Sequence, residues 1–190
     1  MTTTDSRQRM IETAAVVMRE RGVEATSFSE VLARSGAPRG SIYHHFPGGK
    51  AQLIKEATQY AGEFSAAGLT IALRDDDPVA AVTAFCNGWI KLLRRSDFSA
   101  GCPVVAAALE GDRTPGAREA AAEAFVRWEK LLSDAIATHT DSPERAQALA
   151  TLIIASVEGA VVLARATRST APLERVAGEM ETLLLDTVAR

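Results

Sequence analysis

Cysteine, tryptophan, tyrosine and histidine are all scarce in this chain of 190 residues, which has two Cys, two Trp, two Tyr and three His. The spacing of Cys86 and Cys102 matches neither a zinc site nor a C-x-x-C redox pair, so two reduced thiols are expected rather than a disulfide or metal framework. No H-E-x-x-H, no G-x-S-x-G and no glycine-rich loop after a strand occurs, and His139 stands isolated in a polar loop. An enzyme is therefore not expected, nor a metal or other cofactor. The most apolar stretch, Leu149 to Leu163, is interrupted by Glu158 and falls short of the roughly 20 residues that a membrane span requires. Thr2 to Arg9 is polar and lacks the apolar core of a signal peptide. These absences together lead to the expectation of a cytoplasmic protein without a membrane partner.

What the chain has in quantity is Ala, Leu, Glu and Arg, the residues that lose least on entering a helix. At 47% hydrophobic and 24% charged it has the composition of a globular protein. Its length buries roughly 70% of the unfolded surface without metal or disulfide support. The expected class is all-α, with about nine helices. Ile11, Ala14, Ala15 and Met18 recur at helical spacing and predict a helix from about Asp5 to Arg21, closed by Gly22. Ser27-Phe28-Ser29-Glu30 has the form of a capping box and opens a second helix, with Phe28, Val31 and Leu32 inward and Gly36 at its end. A third runs from about Pro38 to His45 and stops at Pro47-Gly48-Gly49. Longer helices follow at about 50–73, 78–95, 103–111, 115–138, 143–168 and 172–189, each preceded by a proline-bearing break or turn. The division expected is a head over residues 1–49 and a body over 50–190.

The net charge of −3 argues against nucleic acid until its distribution is considered. Residues 1–60 hold eight Lys/Arg against six Asp/Glu, a balance of +2 that leaves −5 for the rest. A mildly basic head on an acidic body suits DNA binding at one end. The stretch from Phe28 to Lys50, a short helix, a turn at Gly36 and a second helix rich in polar reach, has the layout of a helix-turn-helix. Arg39 is the strong bidentate donor at the start of the second helix, suited to guanine O6 and N7. Gly40 permits close backbone approach, while Ser41, Tyr43, His44 and Lys50 are candidate phosphate donors. Thr26 and Ser27 mark a helix start where amides can meet a phosphate. The order G-x-x-x-G-S-I-Y-H-H-F, followed by a Lys, resembles the signature of the TetR family. The resemblance implies that Thr26, Ser27 and Lys50 meet phosphates, that Arg39, Gly40, Ser41, Tyr43 and His44 form the recognition surface, and that Ile42 and Phe46 are core. Two departures stand out: Pro38 replaces a capping Ser or Thr, and the Pro47-Gly48-Gly49-Lys50 turn is longer than the common form. G-C-P-V-V after Gly101 and E-G-A at Glu158 are similar to the branch of lincomycin-resistance-type repressors.

The body holds most of the aromatics, and a pocket between its helices is expected from Phe64, Phe85, Trp89, Leu93, Val105, Leu109, Phe125, Trp128 and Glu158. The bland alternative is that these rings fill the core. Glu110 and Glu158 lie in apolar surroundings, suited either to orienting a polar or cationic group or to pairing with an Arg such as Arg165. Helix 172–189 carries one apolar stripe, and helix 143–168 is apolar around more of its circumference. A homodimer interface is expected from Ala155, Ser156, Gly159, Ala160, Leu163, Val176, Met180, Leu183 and Leu184. The function expected is a dimeric repressor of a palindromic double-stranded operator, released by a small hydrophobic effector. Two alternatives stand beside it: a ligand-independent activator or architectural dimer, and a redox sensor using Cys86 or Cys102.

Overall fold

A computed structural model describes residues 3–110 and 113–188, and among these the chain forms nine α-helices and no strand. They are α1 (Thr3–Arg21), α2 (Phe28–Ser35), α3 (Ser41–His45), α4 (Gly49–Ala72), α5 (Pro78–Arg95), α6 (Pro103–Ala108), α7 (Ala117–Ala137), α8 (Pro143–Thr167) and α9 (Ala171–Val188), with a 3-10 turn at Leu73–Asp75 after α4. The chain separates into two compact units, Met1–Glu63 with Cys102–Ala124, and Phe64–Gly101 with Phe125–Arg190. The division differs from the expected boundary at residue 49. The first unit keeps the beginning of α4 and also takes up α6 and the start of α7.

In the first unit α1 is the central element, packing against α2, α3 and α6. Met10, Ile11, Ala14, Ala15, Val17 and Met18 are all buried, the helical period read from the sequence plus its flanks. Val31 of α2, Ile42 of α3, Phe46, and Leu53 and Ile54 of α4 complete this interior. Gly22 and Gly36 close α1 and α2 with φ of 81° and 65°, a left-handed conformation that costs glycine little. The capping box forms only in part. The Glu30 amide donates to Ser27 Oγ at 3.2 Å, but the Glu30 carboxylate accepts from Arg21 and Arg34 instead of reaching back. Arg34 also donates to Glu20 at 2.7 Å, so the end of α1 is tied to α2 by ion pairs. Tyr60 of α4 hydrogen-bonds Glu12 of α1, and burial first, then that carboxylate, push its phenol upward. Farther along α4, a β-carbon on Gly62 would lie 2.7 Å from Ala124 Cβ of α7, so these helices touch through the absence of a side chain.

In the second unit α5 and α9, then α8 and α9, make the principal contacts. Leu69, Val82, Cys86, Leu93, Ile136, Leu149, Ile153, Val157, Val161, Leu173 and Leu184 form its buried core. Asp77 and Ser142 cap α5 and α8, accepting from Ala80 N at 2.9 Å and Arg145 N at 3.2 Å, each with a proline opening the helix behind it. Arg94 donates to Thr170 and Glu174, and Arg168 to Asp97, fastening the α8–α9 turn to the end of α5. By length and composition α8 is apolar enough to cross a membrane, although the run expected from the sequence, Leu149 to Leu163, is too short. Its inner face, from Ala146 through Ala164, is nevertheless built into the core of the unit.

Candidate DNA-binding surface and effector pocket

The recognition segment begins later than the sequence suggests. Pro38-Arg39-Gly40 is a turn, and α3 starts at Ser41. The cause is local. The Pro38 carbonyl accepts from both the amide of Ser41 at 3.0 Å and its hydroxyl at 2.6 Å, which closes the turn before the helix can begin. Gly40 is the cap, without a side-chain hydrogen bond. Arg39, Gly40, Tyr43 and His44 are all exposed, with Tyr43 at 69%. The Tyr43 ring leans edge-on against Phe28 of α2, centroids 5.5 Å apart, which fixes its direction from the scaffold side. Ile42 and Phe46 point the other way and are buried, as the family resemblance implies.

Three of the expected contacts need correction or refinement. Thr26 is fully buried and its hydroxyl donates to the Gly22 carbonyl at 2.9 Å, so its side chain secures the α1–α2 turn and does not face a phosphate. Ser27 remains half-exposed at the start of α2, but its hydroxyl is shared between the Glu30 amide and Ser29 Oγ. Lys50, the second residue of α4, donates Nζ to the Glu24 carbonyl at 2.8 Å. Its ammonium therefore lies against the loop preceding α2. The longer turn that carries it is made possible by Gly49 at φ 72°, whose amide donates to the Phe46 carbonyl. Sequence reasoning missed Arg7. Its guanidinium pairs with Glu56 at 2.6 Å and lies 5.4 Å from the Phe46 ring centroid, bracing the end of α3 from behind. Arg7 and Phe46 stand too far apart in the chain for any helical period to link them.

The second unit contains a concavity lined by Leu69, Ala81, Val82, Phe85, Trp128, Leu132, Ile153, Ile154, Val157 and Glu158. The hollow measures ≈ 400 Å³ with open solvent included. Phe85, Trp128 and Glu158, three of the residues expected at a pocket, stand together in its lining. Trp89 and Phe125 stand one layer behind, edge-on to Phe85 at 6.5 Å and to Trp128 at 5.3 Å. The other expected lining residues do not meet the cavity. Leu93 is fully buried in the core, and Phe64 is 72% exposed. Val105 and Leu109 belong to the first unit, where α6 packs on α1, and Leu109 is 80% exposed just past the helix end. Glu110 accepts from Thr114 and pairs with Arg113 at 3.4 Å, a local role in that same unit. The aliphatic lining residues went unpredicted because an apolar residue beside a void has the same sequence signal as one in a packed core.

Of the residues expected at a dimer interface, Ala160, Met180 and Leu184 are buried in their own unit's core, and Val176 and Leu183 pack against it. The stripe on α9 is spent on the protomer. Facing outward on α8 are Ala155, Gly159 and Leu163, joined by Leu152 and Val162, with Ser156 half-exposed. Cys86 is fully buried, and burial pushes its thiol up to about 11, so it is a poor source of thiolate at neutral pH. Cys102 is buried as well.

Residues 10–57 match the family described as bacterial regulatory proteins of the tetR family, and residues 78–179 the C-terminal domain of LmrA/YxaF-like transcriptional regulators. A helix-turn-helix-type transcriptional regulator of Mycobacterium tuberculosis H37Rv is 42% identical over 185 residues, covering 94% of each chain. The transcriptional regulator LmrA of Bacillus subtilis is 28% identical over 182 residues, 95% of this chain and 97% of its own. Among solved structures, a TetR transcriptional regulator from Chloroflexus aurantiacus superposes with a TM-score of 0.77 at 29% identity over 96% of each chain. With an exposed recognition turn on a buried three-helix scaffold, and with both halves of its length matched, the chain belongs to the TetR family of transcriptional regulators, in the branch that resembles LmrA.

Proposed function

We propose that this regulator is a repressor that binds a palindromic operator as a homodimer and leaves it when a small, largely apolar molecule enters the second unit. The observation that carries the proposal is the cavity around Phe85, Trp128 and Glu158, set in a unit separate from the exposed Arg39, Tyr43 and His44. Release requires only that the effector bind two conformations with different affinity. The outward face of α8 supports the dimer. Leu152, Val162 and Leu163 are 43%, 57% and 57% exposed, and an apolar stripe of this kind left in water is an association liability. Small residues at Ala155 and Gly159 allow a second helix to approach closely, so α8 and α9 of two protomers make a four-helix bundle with an isologous interface. Two heads related by that two-fold axis read half-sites about one helical turn, roughly 34–36 Å, apart or a multiple of it.

The test starts with the DNA flanking the coding region, labelled and titrated with protein in a fluorescence anisotropy assay. Hydrophobic aromatic compounds are then screened for two simultaneous effects, quenching of Trp fluorescence and loss of operator binding. Trp128→Ala should weaken the second effect more than it weakens operator binding itself. Tight operator binding that no quenching compound alters would leave a DNA-binding dimer whose body has no effector.

A further inference from the structure

We propose that Arg7, Gln52 and Glu56 are positioning residues for sequence reading: they hold the recognition segment at the pitch at which it discriminates bases, without touching DNA themselves. This role draws on the family's DNA binding and is independent of the effector pocket.

The need for a hold lies in the length of α3. It has five residues, far fewer than the roughly 12–15 at which an isolated helix becomes marginally stable in water. Its cap, Gly40, makes no side-chain hydrogen bond. The direction of Arg39, Tyr43 and His44 is therefore set by what grips the ends of the segment. At the far end that grip is a closed circuit. The Gly48 amide donates to Gln52 Oε1 at 2.8 Å, and Gln52 Nε2 donates to Glu56 Oε1 at 3.0 Å, one turn further along α4. Glu56 Oε2 accepts from Arg7 of α1 at 2.6 Å. The Arg7 guanidinium lies 5.4 Å from the ring centre of Phe46, the cap that ends α3. The circuit thus leaves the α3–α4 turn at Gly48, crosses α4 and α1, and returns to the turn at Phe46.

The turn is shaped to admit it. A β-carbon on Gly48 would lie 3.1 Å from both Cβ and Oε1 of Gln52, so glycine there leaves the space through which the Gln52 amide reaches the turn. The Arg7 and Glu56 side chains are 40% and 22% exposed, and both carboxylate oxygens are engaged, unlike an ion pair on an open surface. Arginine suits the place because a flat guanidinium pairs with a carboxylate and stacks on a ring at once. Attraction to phosphates survives small displacements, whereas base-edge hydrogen bonds need placement within about 0.5 Å. A loosened α3 keeps the first and loses the second.

The test uses a duplex selected from a random-sequence library by the full-length parent protein, with a scrambled duplex as comparator, titrated by fluorescence anisotropy over a range of salt. By charge alone, Glu56→Gln should tighten both DNAs, since it removes a carboxylate from the DNA-binding unit. The positioning role predicts instead that the ratio of selected to scrambled affinity falls about fivefold or more, the low end of what one bidentate base contact discriminates. Arg7→Met should lower the ratio similarly and leave the salt slope unchanged. The double variant should stay within about twofold of the weaker single one, because the circuit breaks only once. Lost folding reduces the active fraction and shifts both DNAs equally, so the ratio separates it from lost positioning. Should circular dichroism show Glu56→Gln unfolded, Arg7→Met and Gln52→Ala read the same ratio, each expected to fall. Three results overturn the proposal: Glu56→Gln tightening both DNAs alike, Arg7→Met weakening both alike with a shallower salt slope, as a phosphate contact would, or a double variant whose loss is the product of the single ones.

Discussion

Gly62 and Gly68 lie on the same helix, α4, and their substitution by alanine should act in opposite directions. In an open helical position the exchange removes backbone entropy from the unfolded chain and is worth roughly 0.5–1 kcal/mol of added stability. Gly68 is exposed with nothing within 4 Å of the added carbon, so it should show that full gain. At Gly62 the new carbon would lie 2.7 Å from Ala124 Cβ and 3.6 Å from its Cα, closer than side-chain carbons pack. Ala124 has no flexible end to withdraw, so α4 and α7 must separate, and overpacking of this kind costs about 1–3 kcal/mol. Gly62→Ala should therefore be neutral to about 2 kcal/mol less stable than the parent, opening a gap of roughly 1–3 kcal/mol between the two variants. For a chain of this size a change of about 1 kcal/mol moves the midpoint by about 2–4 °C. Thermal unfolding followed by far-ultraviolet circular dichroism reads the gap. A double-mutant cycle with Ala124→Gly should return a favourable coupling of about 1 kcal/mol or more, since the second change makes room for the added carbon. Equal stability of Gly62→Ala and Gly68→Ala would refute the close approach of α4 to α7.

Arg39→Ala should cost about 1–3 kcal/mol for each bidentate pair of hydrogen bonds it removes and relax preference at one base of each half-site; an unchanged profile over single-base operator variants removes Arg39 from the readout. Lys50→Ala should weaken all sequences alike and lower the slope of log K against log salt by roughly one per contacting subunit. An unaltered slope would mean that Lys50 stays on the Glu24 carbonyl in the complex. Val162→Glu with Leu163→Glu should give a folded monomer by analytical ultracentrifugation, with operator affinity lost. Ala160→Glu should instead unfold the protein, because Ala160 is only 1% exposed within its own unit. Cys86 should resist a thiol reagent such as a maleimide in the native protein at neutral pH and react promptly in denaturant, its thiolate forming only as pH rises toward about 11; rapid native labelling would return Cys86 to consideration as a redox switch.

Periodicity carried the sequence reading furthest. Ile11, Ala14, Ala15 and Met18 announced α1 and its buried face, and Pro78, Pro103 and Pro143 marked where α5, α6 and α8 begin. Competition between partners was not legible. Glu30 stands where a capping box needs it, yet Arg21 and Arg34 are better partners for a carboxylate than one exposed amide. Thr26 has the right residue type for a phosphate, and the Gly22 carbonyl, four residues back, claims its hydroxyl. For Ala160, Met180 and Leu184 the sequence offered apolar faces without saying which of them the protomer would use for itself. Glu158 was visible as an anomaly because a charge in an apolar run is rare; its aliphatic neighbours in the cavity wall were not, because nothing distinguishes them from core.

The fullness of that cavity has a kinetic consequence. A hollow of ≈ 400 Å³ that counts open solvent leaves little room between its walls for an organic molecule until side chains such as Phe85 or Trp128 swing aside. Entry then waits on a fluctuation, and the observed dissociation constant equals the intrinsic one divided by the fraction of molecules already open. On the function proposed above, the dose at which the regulator responds becomes adjustable without any change in what the ligand touches. A substitution that thins the packing behind the rings, at Trp89 or Phe125, raises the open fraction and lowers the responsive dose; one that tightens it raises the dose and slows the onset. Sensitivity and specificity are thereby written in different residues, the first in the layer behind the wall and the second in the wall itself.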